Sequence, residues 1–128
     1  MTMFAKTKAF NGFSVDDMDA AREFYKNTLG LNVRDNEMGM IEITLDTGGV
    51  TLVYPKDNHE PATYTILNFP VDDIDAAVDA LAAKGVTFER YDGMQQDEKG
   101  VSRGKAANQG PDIAWFTDPA GNILSVLS

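Results

Sequence analysis

Apolar and polar positions follow two periods along the chain: short runs that alternate, and longer runs in which apolar residues recur every three or four positions. Between Asp17 and Leu29 the residues Met18, Ala21, Tyr25 and Leu29 share one helical face with Phe24 beside it, and Gly30 stands where a helix would stop. A second helix is predicted from about Asp73 to Lys84, with Ile74, Ala77, Val78 and Leu81 inward and Gly85 as its stop. Strand patterns, separated by turn residues, follow each helix. They cover Leu31 to Arg34, Met40 to Asp46 and Val50 to Tyr54 in the first half, then Thr87 to Tyr91, Asp112 to Thr117 and Ile123 to Leu127 in the second. Gly48-Gly49 reads as a hairpin turn.

The segment GFSVDDMDAA, starting at Gly12, returns as NFPVDDIDAA, starting at Asn68, at an offset of 56 positions and with seven of ten residues identical. Each copy passes from a short apolar strand through an Asp pair into a helix, so each half reads β-α-β-β-β. Carboxylates at a helix start accept bonds from the free first-turn amides and favour the positive helix end. Capping therefore accounts for Asp16, Asp17, Asp72 and Asp73 more simply than catalysis does. The reading is one domain over residues 1–128: a first module to about residue 55, a linker over 55–62 with two prolines, and a second module over 63–128. His59 falls in the linker and is expected to be solvated. The polar, glycine-rich stretch 93–110 reads as an exposed loop, and Arg103 within it as a solvent-facing charge or part of a closing element.

Composition removes several chemistries. With no cysteine among 128 residues, disulfides, thiolate catalysis and iron–sulfur ligation are excluded, and a single histidine rules out any site needing two imidazoles from one chain. The formal charge of −9 gives no electrostatic footprint for nucleic acid or an anionic bilayer. No run approaches the roughly 20 apolar residues of a membrane span and no secretory leader is evident, so a cytoplasmic protein is expected, without nucleic-acid or membrane partners. No dinucleotide fingerprint or phosphate-binding glycine loop is found.

The paired modules, the strand-Val-Asp-Asp-helix openings, the AREFYKNTLGL that follows the first and the closing DPAGNILSVL resemble the vicinal oxygen chelate superfamily. Its members include glyoxalase I, extradiol dioxygenases and bleomycin-resistance proteins. The resemblance covers nearly the whole chain. It implies an α+β fold in which two β-α-β-β-β modules form a curved, cupped mixed sheet with the helices outside and a ligand site in the cup. It also implies a homodimer, since family members commonly complete their cups with a second chain.

In metal-using members the first and last strands of each module carry the ligands. Counting five residues before each Val-Asp-Asp gives Phe10 and Ile66; aligning DTGGVTLVY with DPAGNILSV gives Val53 and Ser125. A divalent ion needs carboxylate, imidazole or thiolate donors, so no metal and no other cofactor is expected here. Alternation along the strands turns Phe10, Ser14, Thr51, Val53, Ile66, Asn68, Ile123 and Ser125 toward the cup. The favoured reading is a protein that binds an apolar or planar small molecule. Its wall would be Phe10, Val53, Ile66 and Trp115; Ser14, Asn68 and Ser125 would be its orienting groups, and the loop around Arg103 its closing element. Trp115 serves equally as a stacking platform or as core, and Tyr54 and Tyr91 are candidates for the rim. Two alternatives stand beside this reading. One is an enzyme of the same superfamily, of lyase or dioxygenase type, working without metal or with unrecognised ligands such as Glu42, Asp46 or His59; no catalytic residue can be named for it. The other is an interaction module whose cup is filled by its own side chains.

Overall fold

The computed structural model describes residues 3–128. The chain divides into a first unit that ends at His59 and a second, Glu60–Ser128. In the first unit, β1 (Asn11–Val15) leads into α1 (Met18–Glu23), followed by β2 (Asn32–Asp35), β3 (Ile41–Thr44) and β4 (Val50–Pro55), and the sheet order is β1-β4-β3-β2. The second unit repeats the plan with β5 (Thr65–Pro70), α2 (Ile74–Ala83), β6 (Ser102–Arg103), β7 (Asp112–Thr117) and β8 (Ile123–Leu127), ordered β5-β8-β7-β6. In each sheet the first strand pairs in parallel with the last, and the remaining pairs are antiparallel. The fold is mixed α+β, as the resemblance implies.

The helix starts follow from the Asp pairs. Asp17 and Asp73 are the capping residues: their carboxylates accept from the Ala20 and Ala76 amides, each at 3.1 Å. Gly30 and Gly85 take φ values of +70° and +90° just past the helical segments, a conformation that a side chain would strain. The first helical segment differs from the expected continuous helix. From Phe24 to Thr28 it widens, with the Leu29 amide reaching back five residues to the Phe24 carbonyl at 2.9 Å. The widened turn accommodates two neighbouring aromatic rings. Phe24 and Tyr25 meet edge to face at 5.2 Å, and the fully buried Tyr25 also meets Phe13 of β1 at 5.7 Å.

The core of the first unit gathers Phe13, Val15, Ile41, Ile43 and Val53 with Ala21 and Tyr25. That of the second gathers Ala114, Phe116, Leu124 and Val126 with Ile74 and Val78 of α2. Thr87 to Tyr91 does not form the expected strand: Phe88 makes a single bridge to Phe116, and the edge of the sheet is the two-residue β6. Gln96 is the reason. Its side-chain oxygen accepts from the Tyr91 amide at 2.9 Å while its nitrogen donates to the Glu89 and Gly100 carbonyls at 2.9 and 2.7 Å, satisfying backbone groups that a strand neighbour would otherwise have taken. Among the described residues, no helix is long and apolar enough to cross a membrane.

Candidate functional site

In the first unit, residues paired across neighbouring strands share a face, so the register decides which side chains lie opposite the core. Phe13 stands against Val53, and Val53 against Ile41. All three are buried, and Phe13 packs on Tyr25. Val53 therefore belongs to the core and not to the cup wall expected of it, and Thr51 goes with it, its hydroxyl donating to Asn11 Oδ1 at 2.7 Å. The other face carries Gly12, Ser14, Leu52 and Tyr54. The misplacement has a simple origin: three residues separate Asp46 from β4, whereas four separate Asp118 from β8, so an ungapped alignment of the two turns slips the register by one residue. Phe10 lies just outside β1 and is 64 % exposed.

His59 is not the solvated linker residue expected from its surroundings in sequence. It is half-buried, with Nδ1 2.6 Å from the Ser14 hydroxyl. No periodicity signals this pairing, because it joins an irregular segment to a strand 45 positions away.

The second unit brings more of the expected residues together. Ser125 stands between Asn68 on β5 and Trp115 on β7 in the register, so the three share the face opposite Leu124, Phe116 and Val126. The fully buried Ser125 donates its hydroxyl proton to Asn68 Oδ1 at 2.6 Å. Tyr91 lies edge-on to Trp115 with ring centres 5.5 Å apart. Burial, and after it the Glu89 carboxylate, push the Tyr91 phenol up, so it keeps its proton at neutral pH. Ile66 is half-buried and is the unpaired residue of a bulge: Thr65 pairs with Ile123 and Leu67 with Leu124. This face thus has two aromatic rings and a hydrogen-bonded hydroxyl–amide pair.

Arg103 is held at the opposite edge of that sheet, on β6. Its guanidinium grips Asp75 of α2 with two bonds of 2.7 and 3.2 Å and Asp97 at 2.9 Å, while Lys99 reaches Asp75 and Asp79 at 3.4 and 3.1 Å. Residues 97–103 are therefore tied to α2 by ion pairs. The buried Val101 and an open groove of about 1040 Å³ lined by Met94, Gln96, Ser102 and Gln109 belong to the same arrangement. The Arg103 bonds hold the Asp75 carboxyl below its ordinary range. For Asp97, burial acts upward, but the Val101 amide, Arg103 and the Lys99 amide outweigh it and bring the carboxyl down. Depressed acids contribute stability that is present above their unfolded values and is lost as pH falls through the folded ones. Hydrogen exchange of residues 97–103 should therefore quicken below the ordinary carboxylate range, and Arg103→Gln should bring the same quickening at neutral pH. Exchange that stays unchanged in both would mean that packing, not charge, holds the segment.

The four slots that would hold a metal ion in this fold offer a poor donor set. Phe10, Ile66 and Val53 have none, Ser125 has a neutral hydroxyl already bound to Asn68, and moving the third slot by one residue gives only Leu52 or the Tyr54 phenol. Among the described residues no group of three or more His, Asp or Glu side chains is placed to hold a metal ion.

Two repeated β-α-β-β-β units, each closing a parallel first-to-last strand pair, define a class of paired-module α+β proteins. Residues 9–126 match the model of the glyoxalase/bleomycin resistance protein/dioxygenase superfamily, and the chain belongs to that family. Among solved structures it is similar to a glyoxalase family protein from Enterococcus faecalis, with a TM-score of 0.67 and 22 % identity over 98 % of this chain and 100 % of that one. It is also similar to TnmS3, an antibiotic binding protein from Streptomyces sp. CB03234, with a TM-score of 0.65 and 21 % identity over 95 % and 96 % of the two chains. An integron cassette protein from the mobile metagenome of the Halifax Harbour sewage outfall aligns with a TM-score of 0.68 and 18 % identity over 93 % and 96 %. No curated protein matches the chain.

Proposed function

We propose that this member of the family binds an apolar or planar small molecule, without a metal ion at the family's ligand slots, on the sheet face that carries Trp115. The observation that carries the reading is the combination on that face of the Trp115–Tyr91 ring pair with the Ser125–Asn68 pair. Aromatic rings supply area that a flat ligand can cover, and the exposed Asn68 amide, held by the buried Ser125 hydroxyl, is the fixed polar group that orients it. The likeness to an antibiotic binding protein supports a ligand of that kind and does not choose among antibiotics. In this reading the chain works as a homodimer in the cytoplasm and needs no nucleic acid or membrane.

Trp115 is the single tryptophan, so its fluorescence reports on this face alone. Titration with a panel of aromatic antibiotics, bleomycin included, should give saturable quenching by at least one of them, at one molecule per chain. Elemental analysis of protein purified without chelators should find no stoichiometric metal. Ile66→Glu adds a carboxylate to a half-buried apolar position on β5, where an unpaired charge costs several kcal/mol, and should abolish the binding seen by calorimetry. One equivalent of tightly bound metal, a panel that leaves both fluorescence and melting temperature unmoved, or undiminished binding to folded Ile66→Glu protein would each overturn the proposal.

A further inference from the structure

Ser14 and His59 belong to the first unit, whereas the Trp115 face belongs to the second. The Ser14 hydroxyl lies 2.6 Å from His59 Nδ1, within the range at which an imidazole takes a proton from an attacking hydroxyl. Both side chains are half-buried, so neither is sealed in the core. Two residues earlier on the same face of β1, a Cβ built on Gly12 would meet the Leu52 carbonyl oxygen at 3.2 Å, Leu52 Cβ at 3.6 Å and Tyr54 Cε1 at 3.7 Å, so the β4 backbone and the tyrosine ring pack closely there. Tyr54 is also the register partner of Ser14 on β4. A structural tether between a loop and a strand needs only some donor and some acceptor. Here the two groups are a potential nucleophile and the single imidazole of the sequence, a side chain able to take up a proton from it.

We propose that Ser14 and His59 form a nucleophile–base dyad that accepts acyl groups from activated esters. With the imidazole proton on Nε2, Nδ1 accepts from the Ser14 hydroxyl. As Ser14 Oγ bonds to the acyl carbon, its proton passes to Nδ1, and the departing alkoxide of the ester takes that proton when the acyl–oxygen bond breaks. Water then attacks the acyl carbon and gives its proton to Nδ1; the acyl–Oγ bond breaks and Ser14 Oγ takes that proton back, so the net change is ester plus water to acid plus alcohol. Tyr54 borders the acyl group, and the close packing around Gly12 favours a small one.

The probe is p-nitrophenyl acetate, added to the full chain at neutral pH. A burst of p-nitrophenol should accompany one acetyl group, located by mass spectrometry on the peptide containing Ser14. Ser14→Ala should remove the label. His59→Gln keeps a side chain able to hydrogen-bond Ser14 but supplies no base, so it should retain the melting temperature while slowing acetylation about 100-fold or more. It should also remove the dependence of the acetylation rate on pH. If Ser14→Ala does not fold, His59→Gln decides alone. Acetylation confined to lysines or tyrosines, or an unchanged rate in folded His59→Gln protein, would overturn the proposal and leave the pair as a tether.

Discussion

Replacing Val53 by Asp should prevent folding, whereas the same change at Leu52 should leave a folded protein. The two residues are neighbours on β4 and differ in the face they occupy. Val53 is fully buried between its partners Phe13 and Ile41, with the Tyr25 ring packed on Phe13. A carboxylate there loses the packing of an aliphatic side chain, about 2 kcal/mol, and must either stay ionised without a partner or take up a proton at the expense of stability. Together these exceed what a domain of this size can lose, since the whole stability of such a domain is about 5–15 kcal/mol. Leu52 is half-buried and paired with Gly12 on the other face, so its change removes apolar area but puts no charge in the core. Circular dichroism and thermal melting of both variants are sufficient to check this. Folded Val53→Asp protein alongside unfolded Leu52→Asp protein would reverse the assignment of faces.

How far the sequence reaches is set by the range of the interactions involved. The helix caps at Asp17 and Asp73 and the left-handed stops at Gly30 and Gly85 are local, since each depends on groups within one helical turn, and each is readable from the repeat. That the two sheets share one strand order also follows from the repeat, whereas the order itself is set by pairing. Pairing register is different. It depended on one extra residue in the Asp118 turn, which the likeness of DTGG to DPAG conceals, and that residue moves Val53 from one face to the other. The loss of the strand at Thr87 to Tyr91 traces to the Gln96 side chain, whose three bonds to backbone groups have no pattern that periodicity could detect. The widened turn at Phe24 likewise answers to a ring contact in three dimensions. Alternation along β5 and β8 turns Asn68 and Ser125 to one face, whereas Trp115, open in the sequence between platform and core, joins them only through the β7–β8 register. The Ser14–His59 and Arg103–Asp75 pairs were not accessible from the sequence, since both join segments distant in sequence through side chains of no distinctive spacing.

The one-residue difference between the two turns also has a measurable energetic side. Asp118 is 4 % exposed, and its Oδ1 accepts from the Ala120 and Asn122 amides at 3.0 and 2.9 Å while Oδ2 accepts from the Asn122 side chain at 3.1 Å. Asn122, 2 % exposed, accepts in turn from the Ala62 amide at 3.2 Å, so the turn before β8 is tied to the segment before β5 within the second unit. Asp118→Ala would strip partners from two backbone amides and the Asn122 side chain at once. Unsatisfied buried donors cost about 1–3 kcal/mol each, and water reaching the vacated space offsets part of that, so a net loss of about 3–5 kcal/mol is expected. Asp46 holds the matching place in the first unit, yet it is exposed and its carboxylate accepts from Asn32 at 3.2 Å. Asp46→Ala should therefore cost no more than about 0.5 kcal/mol. Urea denaturation of the two variants should separate them by at least about 2 kcal/mol. Equal midpoints would show that the buried turn is not held by its aspartate, and that the resemblance of the two turns in sequence extends to their energetics after all.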